Sequence, residues 1–385
     1  LVGSEMCIRD SGASDAANVD TVIATASGAL GAAIGVVTNV ITTDHSTGVV
    51  VTGTSTDKSS LTGTSVSVDA DAKEGISSLL IAASGAQYAA VSASVNVNRQ
   101  LSDVSAAVDQ TEVLGSFAQN ANYLGRITTS AITAAGSQYA AVPISVVINY
   151  ADNAVSSSVA HSILRAEGQS ASVGANRISE FSSLNVTASG AMYGAAAGLV
   201  NVNTIEGATS AEVNDSQVKA GQFSVNAENE DHLKVTDVTA TGAIGSLGAS
   251  VVVSYLKGSS VANLRNSTVT ADNLTVSSLQ NHFVKGTVAF ASGGLGTIGA
   301  NVFSLVIGSG DNPFASNRQD LGSAEDTVNK YLSNYASSGS GSLGFINESK
   351  DLTQEEKDKI VGSAAAADAS TSSGSGKGTS VLVSG

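Results

Sequence analysis

The chain has 385 residues, 42 % of them hydrophobic but only 4 % aromatic, so its apolar content is mainly Ala, Val, Ile and Leu. Charged residues make up 13 %, and with that hydrophobicity this excludes a disordered chain held open by its own charge. The formal charge of -15, from 33 Asp and Glu against 18 Lys and Arg, repels a phosphate backbone and excludes nucleic acid as an expected partner.

Forty glycines and two prolines, among abundant Ser and Thr, predict many strands and tight turns rather than long helices. Residues 1–11, "LVGSEMCIRDS", hold the only cysteine, Cys7. They resemble a translated sequencing-adapter sequence and lack the basic start and apolar core of a signal peptide. They are set aside as a non-native segment. The remaining chain has no cysteine, which leaves no disulfide framework and no thiolate metal site.

From residue 12 to 310 the chain repeats itself. Small-residue glycine motifs recur at Gly28, Gly85, Gly136, Gly190, Gly242 and Gly293, with spacings of 57, 51, 54, 52 and 51 residues. Three residues after each anchor stands Gly31, Tyr88, Tyr139, Tyr193, Gly245 or Gly296, a position that takes only Tyr or Gly. A Val-rich run follows, as in "VSASVNVN" and "LGASVVVS", and in copies four and five Val218, Ala220, Phe223, Val225 and Ala227 alternate with polar residues. Period-2 patterning means strand, and six degenerate copies mean stacked repeats. The expected fold is all-β, a parallel β-solenoid of six 51–57-residue repeats. Val, Ile, Leu and Ala are expected inside, with Ser, Thr, Asn and Asp outside. A repeat this long is expected to supply two or three rungs, which at about 4.8 Å per strand makes a rod roughly 60 to 85 Å long. An array of β-sandwiches or barrels is the alternative.

Beyond "GSGDNPF" the composition changes. Residues 311–363 read as a helical insertion or spacer: 323–336 has a one-sided apolar face, and 353–362 opens on the capping-box pair Thr353 and Glu356. Residues 364–385 read as a Gly/Ser linker followed by the start of a further strand, where the chain rejoins the solenoid.

Few residues carry chemistry. "GLGTIG" at 294–299 matches the dinucleotide fingerprint literally, but a strand-like run follows where that site needs a helix N-terminus. Two uncharged stretches, 21–43 and 287–310, are long enough to span a membrane, but their Gly, Ser, Thr and Asn and their polar sister copies argue against a transmembrane helix. His45, His161, His232 and His282 are isolated in sequence. Asp103, Asp109, Asp152, Asp215 and Asp272 fall mostly at predicted corners, where Asp suits the turn, and calcium at such corners is left open. Asn-x-Ser/Thr sequons, as at Asn185 and Asn266, are what an Asn-, Ser- and Thr-rich chain produces by chance. No catalytic, cofactor or metal residue is assigned, and no cofactor is expected. Two structural sets stand out: a candidate Asn stack of Asn96, Asn98, Asn149, Asn201 and Asn203, and a candidate stacked or exposed aromatic set of Tyr88, Tyr139 and Tyr193.

With "ASGA…VNVN", "VTATGAIGSLGASVVVS" and "SQVKAGQFSVNAE" in view, residues 21–310 resemble the repeat region of large bacterial filamentous adhesins, in particular the leukotoxin-type filamentous adhesins. Tyr88, Tyr139 and Tyr193 stand where that family usually has glycine. The resemblance implies a non-enzymatic, extracellular or cell-surface stalk, a fragment of a longer parent chain. Its expected partners are host-cell or bacterial surface molecules. The alternatives are a secreted β-helix carbohydrate-active enzyme, which needs carboxylates converging on one face, and part of a secreted cytotoxin.

Overall fold

The computed structural model describes residues 8–308 and 380–384. In chain order its strands are β1 (Ile8–Ala29), β2 (Ala32–Thr52), β3 (Ser59–Ala86), β4 (Ala89–Asp109), β5 (Thr111–Ser137), β6 (Ala140–Ala160), β7 (Ile163–Ala191), β8 (Gly194–Asn214), β9 (Gln217–Gly242), β10 (Gly245–Arg265), β11 (Thr268–Gly293), β12 (Gly296–Ile307) and β13 (Ser380–Ser384). The odd-numbered strands through β11 form one parallel sheet of six, in sequence order. The even-numbered strands form the other, and β13 joins it beside β12. The chain is a parallel β-solenoid whose every coil is two long strands laid face to face. β1 begins at Ile8, inside the segment set aside as non-native. The expected helices lie outside the described residues.

Paired residues lie one whole repeat apart. Gly28 pairs with Gly85, Gly85 with Gly136, Gly136 with Gly190, Gly190 with Gly242 and Gly242 with Gly293. Each repeat therefore adds one rung, not the expected two or three. Six rungs rise only about 24 Å, whereas strands of 21 to 29 residues run about 70 to 95 Å. The long dimension follows the strands, and the expected rod gives way to a wide, flat coil. Alternating Val, Ile, Thr and Ser almost uninterrupted by proline lets the strands run this far. Pro143 is the exception: β6 and β8 pair at Ala141 and resume at Ile144, as expected where a ladder N–H is missing.

Two kinds of turn close each coil. At one end, here called the tip, two residues suffice: 30–31, 87–88, 138–139, 192–193, 243–244 and 294–295. The anchor glycines precede these turns and still belong to strands. No anchor has a positive φ, and a Cβ would fit at each, so the backbone does not demand glycine there. At the opposite corner a six-residue loop, 53–58, closes the first coil, and in the next four a single left-handed residue reverses the chain: Gln110, His161, Asp215 or Asn266, each at φ 48°. A hydroxyl residue follows each of them. Ser162 Oγ accepts from Thr111 N, Ser216 Oγ from Ser162 N and Ser267 Oγ from Ser216 N, each at 3.1 Å, which ties successive corners together. Of the carboxylates assigned to corners, Asp215 occupies the turn and Asp109 flanks it. Asp103, Asp152 and Asp272 project from strands instead.

Between these ends the interior changes character. The half nearest the left-handed corner follows expectation. Val66, Val68, Val104, Val108, Phe117, Val173, Val213, Phe223 and Val225 fill its core, while Asp69 and Asp71 face outward and accept hydrogen bonds from Asn120 and Asn122 on the next rung at 2.8 Å. The tip half inverts it. In the tip half of β4 the buried residues are Ala90, Ser92, Ser94, Asn96 and Asn98, and Val91, Val95 and Val97 point outward. Along β4 the period of two never breaks; the odd strands bulge only near the corner, as at Thr62/Ser65 and Ala166/Ser170. Near Arg99 to Asp103 the apolar residues simply pass from one parity to the other, from Val97 outside to Val104 inside. The expectation of Val inside and Asn outside therefore holds throughout the corner half only; in the tip half Val37, Leu80, Leu199 and Val252 still point inward, among the buried polar groups.

Candidate functional site

The tip carries an exposed row built by the two-residue turns. Tyr88 and Tyr139 stack with ring centroids 5.4 Å apart, and Tyr139 and Tyr193 do so at 5.3 Å, all roughly half exposed. Parallel, in-register strands set this spacing, because each turn repeats one strand separation further on. The backbone carries the row further. Gly194 N donates to Tyr139 O, Gly245 N to Tyr193 O and Gly296 N to Ile244 O. The full row is therefore Gly31, Tyr88, Tyr139, Tyr193, Ile244 and Leu295. Copies five and six have one residue fewer between anchor and turn, which places Ile244 and Leu295 in the row instead of Gly245 and Gly296. The position accepts aliphatic residues as well as Tyr and Gly. Leu30 and Met192 widen the row with further exposed apolar surface.

Behind the tip runs the asparagine ladder. Asn98 Nδ2 donates to Asn149 Oδ1 at 2.9 Å and Asn149 Nδ2 to Asn203 Oδ1 at 2.8 Å, all three fully buried. Asn96 and Asn201 occupy a neighbouring column, where Val147 separates them. Asn39 donates to Asn96, and Asn203 steps sideways to Asn201 at 3.1 Å. The opposite sheet answers with hydroxyls and a carboxylate. Thr129 donates to Asn149, Asn96 donates to Ser78, and Asn201 and Asn185 both donate to Asp237. Each amide can donate to one rung and accept from another, which is why asparagine suits a buried position in a parallel stack.

At mid-coil lies a cluster that escaped the sequence reading. Arg177 is fully buried. Its guanidinium donates to Asp231 Oδ1 at 2.8 Å, to Asn229 Oδ1 at 2.9 Å and to the Glu206 carbonyl at 2.8 Å. His282 Nδ1 lies 3.0 Å from the other Asp231 oxygen. Burial pulls the Arg177 pKa down, and the Asp231 charge opposes that shift. Gly258 makes room, since a Cβ there would collide with the Asn229 amide and the Arg177 guanidinium. Nearby, burial holds the Glu74 pKa above the usual carboxylate value despite a hydrogen bond from Ser102. Parity would have revealed Arg177, which occupies the inward phase of Ala171, Val173, Ala175 and Phe181.

The remaining candidates are scattered. His161 Nδ1 meets Asp109 at 2.9 Å on the corner, His45 meets Asp15 at 3.1 Å, and His232 stacks on Phe283. Among the described residues no three His, Cys, Asp or Glu side chains gather as a metal site. "GLGTIG" forms a turn and opens β12 rather than a helix. No helix among the described residues is long and apolar enough to cross a membrane. The arrangement defines a parallel β-solenoid repeat protein with a polar-lined half, an apolar-lined half and an exposed tyrosine tip. No family model, curated protein or solved structure matches the chain.

Proposed function

We propose that the chain is a structural and interaction segment of a large secreted or surface-displayed bacterial adhesin, presenting its turns for attachment to host or bacterial cells. The observation that carries this reading is the repeated register, which is shifted only by bulges near the corner at Thr62/Ser65, Leu114/Phe117 and Ala166/Ser170 and is restored along the rest of each strand. Each repeat adds one rung with the anchors and tip turns paired as in the last, so the assembly lengthens by repetition and sets its tip turns in a straight row. The tip row, exposed and aromatic, is the surface such a protein would offer first. Beads coated with the chain and presented to cultured epithelial cells are expected to attach several-fold more often than albumin-coated beads. Attachment at the albumin level contradicts the reading.

A further inference from the structure

We infer that the tip half of the solenoid is built to enter a lipid phase, with both sheet faces and the tyrosine tip in contact with acyl chains. The first observation is charge. The segments 21–43, 75–98, 127–151, 181–205, 238–256 and 286–307 contain no Asp, Glu, Lys or Arg, and pairing aligns all six side by side around the tip. Asp237, level with them by register, points inward to Asn185 and Asn201. Charged residues reappear together at the boundary, as Arg99, Arg126, Glu180, Glu206, Lys257 and Lys285.

The second observation is the inversion. Facing outward on the even sheet are Ile34, Val91, Leu247 and Ile298 in one row, with Val95, Val200 and Val251 in another. Facing outward on the odd sheet are Ile81, Ile132, Val186 and Val238. Most amides and hydroxyls of this half are turned inward; Gln87 and Gln138 in the tip turns, and Thr38, Thr128, Ser130 and Ser182 on the faces, are the outward exceptions. An apolar patch meant only for another protein needs no polar interior behind it. Apolar-out and polar-in with a period of two is the arrangement that strands adopt in hydrocarbon.

The third observation is geometry. The uncharged exterior extends eight to ten residues back from the tip, about 26 to 33 Å, against a hydrocarbon core of about 30 Å. One even-sheet face over that depth measures roughly 850 Å², close to what each partner of a stable dimer buries. A second copy laid on that face would still leave the opposite face and the tip in water. Only a medium that touches all three surfaces at once covers them, and a lipid phase does so.

The contact is made by strands, not by transmembrane helices. β1, β2, β11 and β13 are each paired on one side only among the described residues, and bare edge backbone is costly in hydrocarbon. The inference rests on the adhesin-segment reading, in which neighbouring rungs of the parent chain cover those edges.

The test is flotation of the chain with neutral phosphatidylcholine vesicles on a sucrose gradient, at low salt and at 1 M salt. The chain is expected to rise with the vesicles at both. Val95→Asp with Val200→Asp should reduce the floating fraction at least tenfold, whereas Ser105→Asp with Ser210→Asp, at the same rung separation on the other half, should float as the parent does. Ile34→Ser with Val36→Ser and Val40→Ser, at edge positions already more than half exposed, should lower it at least threefold with strand circular dichroism unchanged. A chain that stays at the bottom of the gradient overturns the inference. So does one that light scattering shows as a discrete self-associated species indifferent to vesicles. Cell attachment by coated beads without flotation would sink the lipid contact and spare the adhesin reading. Flotation without attachment would do the reverse.

Discussion

The two halves of each coil share the same strands, the same register and the same alternation, yet they sort their residues oppositely. Near the left-handed corner Val104, Val108 and Phe117 form a hydrophobic interior beneath a charged and amide-bearing surface. Near the tip Asn98, Asn149 and Asn203 hydrogen-bond in the interior beneath valines. Period-2 patterning therefore fixes strand but not sidedness. A strand can exchange its inside for its outside midway without a bulge, provided both interiors satisfy their own groups.

The sharpest way to break the comparison is at mid-coil, where the phases meet. Asp231→Ala leaves the Arg177 guanidinium buried without its counter-ion and should cost about 3 to 5 kcal/mol in urea unfolding. Arg177→Met combined with Asp231→Leu should recover most of that loss, since no lone charge remains. Within the tip half, Asn149→Leu strands the Thr129 hydroxyl donor and the Asn203 acceptor, while Asn98 keeps Thr129 and Ser78, and should cost about 2 to 4 kcal/mol by the same measurement.

A matched pair of isosteric changes sharpens the contrast further. Val104→Thr places a hydroxyl in the apolar interior and should lower stability by about 1 to 3 kcal/mol. Val95→Thr, nine residues earlier on the same strand but facing outward, should stay within about 0.5 kcal/mol. Equal costs at the two sites would remove the inversion.

The smallest effect is a pH dependence. Burial raises the Glu74 pKa in the fold above its unfolded value, so the folded state binds its proton more readily. Stability should therefore rise as pH falls from above the folded pKa towards 4.5, and fall again as pH climbs. The Ser102 and Thr43 hydrogen bonds and His45 oppose this shift, and Asp15 adds to it. Glu74→Gln should flatten that part of the stability-pH curve and raise stability at neutral pH, as read from thermal midpoints between pH 4.5 and 8.

The repeat, the strands and the parallel stacking were legible because "ASGA" and the Val-rich runs recur at intervals that pairing then matches residue for residue. The number of rungs was not. The second corner is made by Gln110, His161, Asp215 or Asn266, a single residue whose type varies and which no Gly or Pro announces. Without that corner a 54-residue repeat reads as several short strands. Sidedness was hidden because "VSASVNVN" alternates equally well with either parity inward, and Val-in is the usual choice. The asparagines were found because they recur at the repeat spacing. Arg177 was missed because one copy alone carries it, though its place among Ala175 and Phe181 marks it as inward.

The inversion is the central claim, and thiol accessibility tests it most directly. With Cys7 replaced by Ser, single cysteines at positions 94 to 97 and 104 to 105 would be reacted with a maleimide in native buffer. The structure predicts fast labelling at 95, 97 and 105, and protection at 94, 96 and 104. Fast labelling at 94 and 96 with protection at 95 and 97 would restore a single uniform interior and contradict the account.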